Sequence, residues 1–365
     1  MQDAAARITS ADDTDFNHLY VQSADVTLHV ATCGEGPLVL MIHGFPGVWY
    51  SWRHQLRALA AAGYKAAAID LRGYGRSDRP LGVENYSSTR MEADLIAVLD
   101  HFGEERAFIV GQDFGSQYAW NLAVRRPDRV RAVVGMVPYD FDVAGRSCMG
   151  SSPTPEQLSA NPLFDLRPPS ERYASIAERH FIHVHYFQEE GRAERELAGV
   201  NAREFLMRDI WALSAGGDLM SMYNHPGHVS YLEALPAAPP LPWSWLSEAE
   251  FDAWASEFER GGEGMEFTGG LNCYRSADIN WRIGEKWADA RITPPALILI
   301  GSEDPVLTFL PEGALDRQKE RMDDLRGCVI VEGAGHAVQQ EKPEETTAAL
   351  LDFFAEVEKS EATVA

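Results

Sequence analysis

Between residues 108 and 116 the chain reads Phe108-Ile109-Val110-Gly111-Gln112-Asp113-Phe114-Gly115-Ser116: an apolar run, a Gly-x-Asp-x-Gly turn and the opening of a helix. Glycines two places before and two after one acidic residue mark a strained strand-to-helix turn with the helix packed close behind it. A serine at the tip of such a turn makes an acyl-enzyme from an ester or amide. A carboxylate there attacks saturated carbon and leaves an alkyl ester that water must cleave. Taken alone, Asp113 fits equally well as an acidic N-cap, which is common at a helix start and needs no reactivity. Its companions therefore decide.

The rest of the chain supplies a frame for this turn. Leu19 to Val21 and Val26 to Val30 flank a turn at Ser23-Ala24-Asp25; Pro37 to His43 and Lys65 to Ile69 are apolar strands; Trp52 to Ala62 is a helix closed by Gly63. Ser87 or Ser88 caps a helix bearing Met91, Leu95, Leu99 and Phe102 at helical spacing. Strand Phe108 to Gln112, helix Phe114 to Arg125 and strand Val130 to Val137 follow. From Tyr139 the composition turns to Ser, Pro, Met and aromatics, and helical patterns such as Ala193 to Met207 come without intervening strands. Strands Ala296 to Ile300 and Cys328 to Val331 then resume the alternation, and an amphipathic helix from Glu344 to Val357 closes it.

This pattern predicts an α/β fold with a mostly parallel, doubly covered sheet. The expected division is a flexible N-terminal arm over 1–16, a core over 17–138 and 288–365, and a helical lid over 139–287. A lid inserted there covers the carboxyl ends of the strands, where open α/β sheets bind ligands.

Composition removes several classes of partner. With 32 basic against 55 acidic residues the formal charge is -23, so nucleic acid and anionic membrane surfaces are repelled. Cys33, Cys148, Cys273 and Cys328 are scattered without a Cys-x-x-Cys pair, which suggests reduced thiols and neither a zinc site nor a disulfide framework. The start is polar and acidic, and no stretch approaches the roughly 20 apolar residues of a membrane span. The expectation is a cytoplasmic protein, monomeric or homodimeric.

An ester on Asp113 needs a base. Glu332-Gly333-Ala334-Gly335-His336-Ala337 places a histidine in a Gly-rich loop after a late strand, and Gly301-Ser302-Glu303-Asp304-Pro305 supplies an acid that can fix its tautomer. Asp304 is the candidate and Glu303 its possible substitute; Asp304 also reads simply as a turn former before proline. His43-Gly44-Phe45-Pro46 ends a central strand in a tight turn. Its Phe45 N–H, with that of Phe114, would form an oxyanion hole while the two rings dry the site.

Four motifs, His43-Gly44-Phe45-Pro46, Asp70-Leu71-Arg72-Gly73-Tyr74-Gly75-Arg76-Ser77, the Gly-x-Asp-x-Gly turn and Gly333-Ala334-Gly335-His336, resemble those of the α/β-hydrolase-fold epoxide hydrolases of the bacterial soluble type. The resemblance covers nearly the whole chain after the arm. Tyr186-Phe187-Gln188-Glu189 and Gly269 to Arg275 are similar to the lid segments from which that family draws the acids that open the ring. It implies a small apolar epoxide and water as reactants, no metal or organic cofactor, and Tyr274 as one lid donor. Where the family usually carries its other tyrosine this chain has His183, so the implied pair is His183 with Tyr274, or Tyr186 rotated in. Tyr186, Phe187 and Trp49 are candidate pocket residues, Trp49 serving equally as helix packing. Asp70 and Arg72 are expected to bond backbone near the site. Two other readings use the same fold. A haloalkane or haloacid dehalogenase needs halide or carboxylate donors, where this chain has Phe45 and Phe114; a non-catalytic ligand-binding relative would lack a triad member.

Overall fold

Apolar runs with no polar alternation need cover on both faces, so they belong in the middle of a sheet. A computed structural model of the protein describes residues 15–137, 167–287, 290–309 and 314–364. The strands are β1 (Asn17–Ser23), β2 (Val26–Cys33), β3 (Leu38–Ile42), β4 (Lys65–Ile69), β5 (Ala107–Gly111), β6 (Val130–Gly135), β7 (Ala296–Gly301) and β8 (Leu325–Val331). They form one 8-stranded sheet in the order β1-β2-β4-β3-β5-β6-β7-β8. β1 and β2 are a hairpin paired up to Ser23 and Val26, and β2 runs antiparallel to β4. Every pairing from β4 to β8 is parallel. β3 and β5, the two central strands, are buried at every position.

The sheet is covered by α1 (Arg53–Ala61), α2 (Ser88–Phe102) and α3 (Phe114–Arg125), and by the last helix, Pro343–Val364. Phe354 of that helix lies 4.4 Å from Phe108 of β5, centroid to centroid, with Tyr64 against both rings. Burying an aromatic side chain of this kind contributes about 1.5–3 kcal/mol.

Between β6 and β7 the described residues are helical: α4 (Pro169–Ala177), α5 (His183–Tyr186), α6 (Arg192–Leu197), α7 (Ala202–Leu213), α8 (Tyr231–Ala234), α9 (Glu248–Glu259), α10 (Thr268–Arg275) and α11 (Ala277–Gly284). The expected start of this block, at residue 139, lies outside the described residues, and its expected end, at 287, falls on the short turn Glu285–Trp287 after α11. The single helical pattern read from Ala193 to Met207 is in fact two helices. Gly199 takes φ +62° between them and turns its N–H to Glu266 Oε1, 2.9 Å away. A left-handed residue cannot continue a right-handed helix, and glycine adopts it without steric cost.

The helical block grips the loops that leave the carboxyl ends of the strands. Gly269 N–H donates to Gly73 O after β4, at 3.0 Å, and His336 N–H after β8 donates to Leu213 O at 3.0 Å. Arg53 of α1 pairs with Glu250 at 3.0 Å, and Arg76 with buried Glu257 at 2.7 Å. Asp70 accepts from the Trp49 and Arg76 amides, at 2.9 and 3.0 Å, and bonds buried His29 as well. Arg72 reaches one backbone carbonyl, Asn85 O, and in addition forks onto buried Asp94 at 2.6 and 2.7 Å. A buried guanidinium needs a counter-charge, and Asp94 supplies it. No helix among the described residues is long and apolar enough to cross a membrane.

Candidate active site

The turn between β5 and α3 is drawn tight by its glycines. A Cβ on Gly111 would come within 2.2 Å of Gly115 O, and one on Gly115 within 2.1 Å of Ile42 O. Asp113 between them has φ 54° and ψ −124°, the only positive φ outside glycine among the described residues. Holding a non-glycine residue there costs on the order of 1–3 kcal/mol, which tight packing on all sides must offset. Asp113 stands at the N-cap position of α3, yet its side chain makes no capping bond. It turns away from the helix instead: Oδ1 accepts from the Phe45 N–H at 2.8 Å, and Oδ2 lies 3.5 Å from His336 Nε2. Gly44 makes this approach possible, since a Cβ there would sit 2.1 Å from Asp113 Oδ1.

His336 is buried, and its Nδ1 lies 3.1 and 3.0 Å from the two oxygens of Asp304. Asp304 is itself buried and accepts from the Val306 amide at 2.9 Å, while neighbouring Glu303 is exposed and faces away, bonded by Ser302. An Asp on Nδ1 leaves Nε2 as the nitrogen facing Asp113. Burial disfavours the charged imidazolium, but the carboxylates of Asp304 and Asp113 outweigh it and hold His336 well above the ordinary histidine range.

Across from the turn stands a wall of rings. Tyr274 meets Phe114 edge-on at 4.8 Å, His183 at 5.5 Å and Phe45 at 6.2 Å, and packs tilted on Phe187 at 5.0 Å. Burial, and after it the charge of Asp113, pushes the Tyr274 phenol well up, so it keeps its proton. His183 Nδ1 lies 2.9 Å from the Tyr223 hydroxyl. Burial lowers the His183 pKa to about 4 against the pull of Asp113, so the ring is neutral at pH 7. Among the described residues, no group of three or more His, Cys, Asp or Glu side chains is arranged to hold a metal ion.

The alpha/beta hydrolase fold family matches residues 37–343. Epoxide hydrolase A of Mycobacterium tuberculosis is 39% identical over 342 residues, which is 93% of this chain and 97% of the relative. Epoxide hydrolase 3 of Siraitia grosvenorii is 32% identical, over 92% and 98%. The chain belongs to the α/β-hydrolase-fold epoxide hydrolases. Solved structures of that family superpose closely. The epoxide hydrolase from an endophytic Streptomyces gives a TM-score of 0.82 at 37% identity over 94% of this chain and 97% of that one. The crystal structure of epoxide hydrolase A from Mycobacterium thermoresistibile gives 0.78 at 40% identity, over 93% and 98%.

Within this epoxide hydrolase fold two of the candidate pocket residues lie apart from Asp113. Trp49 is fully buried against Phe16, His18, His29 and Tyr50, with Arg76 over its ring, so it packs the β1–β2 side of the core. The Tyr186 hydroxyl is bound to Glu196 and its ring lies beneath Arg192, so rotating it inward would break both contacts. Phe187, in contrast, is packed between Phe45, Tyr231 and Tyr274.

Two residues near the epoxide hydrolase site, Asp209 and Tyr223, went unread in the sequence, and a third, Cys273, was read only as a reduced thiol. Asp209 of α7 is buried, accepts from the Tyr231 hydroxyl at 2.8 Å, and is pushed up to about 7 by burial, with Asp113 adding to the rise and Tyr231 and His336 opposing it. Its signal was an acid in the buried stripe Phe205, Leu206, Asp209, Ile210. Tyr223 lies in a short 3-10 helix, Leu219–Asn224, too short for a periodicity to mark it. Cys273 accepts from the Tyr118 hydroxyl at 3.2 Å, and burial raises its thiol to about 11, so it is an inert spacer beside Tyr274.

Proposed function

We propose that the protein hydrolyses a small apolar epoxide to a vicinal diol, with Asp113 as nucleophile, His336 and Asp304 as the water-activating pair, and Tyr274 and His183 as the lid donors. The observation that carries this reading is the placement of Asp113: a left-handed carboxylate that ignores its own helix and lies between the Phe45 amide and His336.

In the first step an Asp113 oxygen attacks an epoxide carbon and the ring C–O bond breaks. The released oxygen is far more basic than a phenol, so it takes the Tyr274 proton while His183 holds it by an N–H bond. Ester formation removes the charge of Asp113. One of the two carboxylates sustaining the His336 proton is thereby lost, so its pKa falls and the imidazolium gives that proton up to solvent. A neutral ring is then available when a base is needed, and it regains the proton from solvent once Asp113 is again a carboxylate. In the second step His336 takes a proton from water, and the resulting hydroxide adds to the ester carbonyl. The Phe45 N–H, already bonded to Asp113 Oδ1, and the Phe114 N–H steady the oxyanion. Collapse expels the diol oxygen, which takes the His336 proton; the second proton of the water restores Tyr274, and Asp113 returns as carboxylate.

The helical block between β6 and β7 acts as a cap that brings His183 and Tyr274 over Asp113. The rings of Phe45, Phe114, Phe187 and Tyr274 favour an apolar substrate, and Phe45 and Phe114 stand where a dehalogenase needs its halide or carboxylate donors. All groups of the mechanism lie on one chain, so a monomer suffices and a homodimer is compatible. The free thiols of Cys33, Cys273 and Cys328 accord with the reducing cytoplasm. The test is trapping: in His336→Gln, an epoxide such as styrene oxide should alkylate Asp113 and stall, leaving a stable adduct on the peptide that contains it. Absence of an adduct while turnover persists would reject the mechanism.

A further inference from the structure

We propose that Tyr223 is a positioning residue that fixes His183 in the tautomer with its proton on Nε2, so that the lid presents an N–H to the epoxide oxygen. The inference rests on the reading of His183 as a lid donor and adds what makes it one.

A neutral imidazole has one N–H and one lone pair, and only the nitrogen that carries hydrogen can support a developing alkoxide. His183 is neutral, so its usefulness depends on which nitrogen that is. The hydroxyl of Tyr223 lies 2.9 Å from Nδ1, and among the described residues this is the hydrogen bond the His183 ring makes. Two arrangements satisfy the distance. Either the phenol donates to Nδ1 and the proton resides on Nε2, or Nδ1–H donates to the phenol oxygen and Nε2 is bare. The first pairs the better donor with the better acceptor: a phenol O–H is much more acidic than a neutral imidazole N–H, and an imidazole lone pair is much more basic than a phenol oxygen.

The surroundings favour the same assignment. Burial, and then the nearby carboxyl of Asp209, push the Tyr223 phenol well above its usual range, so it keeps the proton it donates. The imidazole cannot easily turn to exchange its nitrogens. Tyr274 meets it edge-on at 5.5 Å and 87°, and Phe187 at 6.1 Å and 74°. Tyr223 thereby does for the lid histidine what Asp304 does for His336. Each bonds Nδ1 and leaves Nε2 for the chemistry, but a neutral phenol leaves its histidine uncharged where a carboxylate favours the imidazolium.

The experiment is nitrogen-15 NMR of histidine-labelled enzyme, with the His183 signals assigned by their absence in His183→Gln, together with rapid-quench mass spectrometry of Asp113 alkylation. Wild type should show the Nε2–H tautomer, and Tyr223→Phe, which keeps the ring, should show a mixture. Tyr223→Phe should also slow alkylation by roughly 10-fold, a fraction of the about 10²–10⁴-fold that a placed proton donor contributes, with ester hydrolysis unchanged. In a His183→Gln background the same change should cost nothing further. An Nδ1–H tautomer in wild type, an unmoved tautomer in Tyr223→Phe, or an equal loss in the His183→Gln background would overturn the proposal. Undiminished alkylation in His183→Gln itself would instead remove the donor role on which the proposal stands.

Discussion

His336 Nε2 stands 3.5 Å from Asp113 Oδ2 while both oxygens of Asp304 hold the opposite ring nitrogen at 3.0 and 3.1 Å. This line of two carboxylates with one imidazole between them suits a two-step reaction. In the proposed reaction the two carboxylates favour the charged ring while Asp113 is free, and esterification of Asp113 releases it toward neutrality.

Asp304→Asn should separate the two steps. The amide cannot sustain the imidazolium, so the His336 pKa falls and the pH at which ester hydrolysis reaches half its maximum moves down. The plateau itself should drop roughly 10²–10⁴-fold, as when an orienting acid is lost, while Asp113 alkylation stays near the wild-type rate. Stopped-flow measurement of both phases across pH 5–9 checks the direction.

Tyr274→Phe retains the ring that packs on Phe114 and Phe187 and removes the proton. Alkylation should fall about 10²-fold or more, with little change in thermal stability. An alkylation rate within about twofold of wild type would exclude Tyr274 as the donor.

Asp209 makes stability depend on pH. Its folded pKa is raised from an ordinary carboxyl value to about 7, so the neutral form is favoured on folding. The benefit is complete below the unfolded pKa, roughly 4, and disappears as pH rises through about 7, beyond which the folded chain buries a charge. Asp209→Asn still accepts from Tyr231 and cannot ionise. It should raise stability by roughly 1–3 kcal/mol at pH 8 and change it little at pH 4. Denaturant melts at the two pH values test the sign.

Glu257 ties the lid to the loop after β4: Arg76 bonds it at 2.7 Å and Arg260 at 2.9 Å, and the carboxylate is buried. Glu257→Ala removes the carboxylate that balances the largely buried Arg76 and should cost roughly 3 kcal/mol of unfolding free energy. A loss below about 1 kcal/mol would mean that the lid is fastened elsewhere.

The features legible in the sequence are those specified by local rules. The turn at Asp113 needs its two glycines within four residues, and β3 and β5 declare themselves as unbroken apolar runs. His336 and Asp304 follow at the ends of later strands. The features that were not legible depend on tertiary approach. Whether Trp49 turns to the pocket or to the core depends on how β1 and β2 curl beneath it, and the Tyr186 hydroxyl is committed by Glu196, ten residues on. Tyr223 reaches His183 across forty residues that include α6 and α7, and no periodicity announces such a pairing.

The central claim is that Asp113 is the attacking group, and oxygen isotope labelling in a single turnover tests it most directly. With enzyme in excess over epoxide in ¹⁸O water, the account predicts an unlabelled first diol and one heavy oxygen in the peptide that carries Asp113. Heavy oxygen in the diol with none in Asp113 would contradict it, because water would then have opened the ring itself.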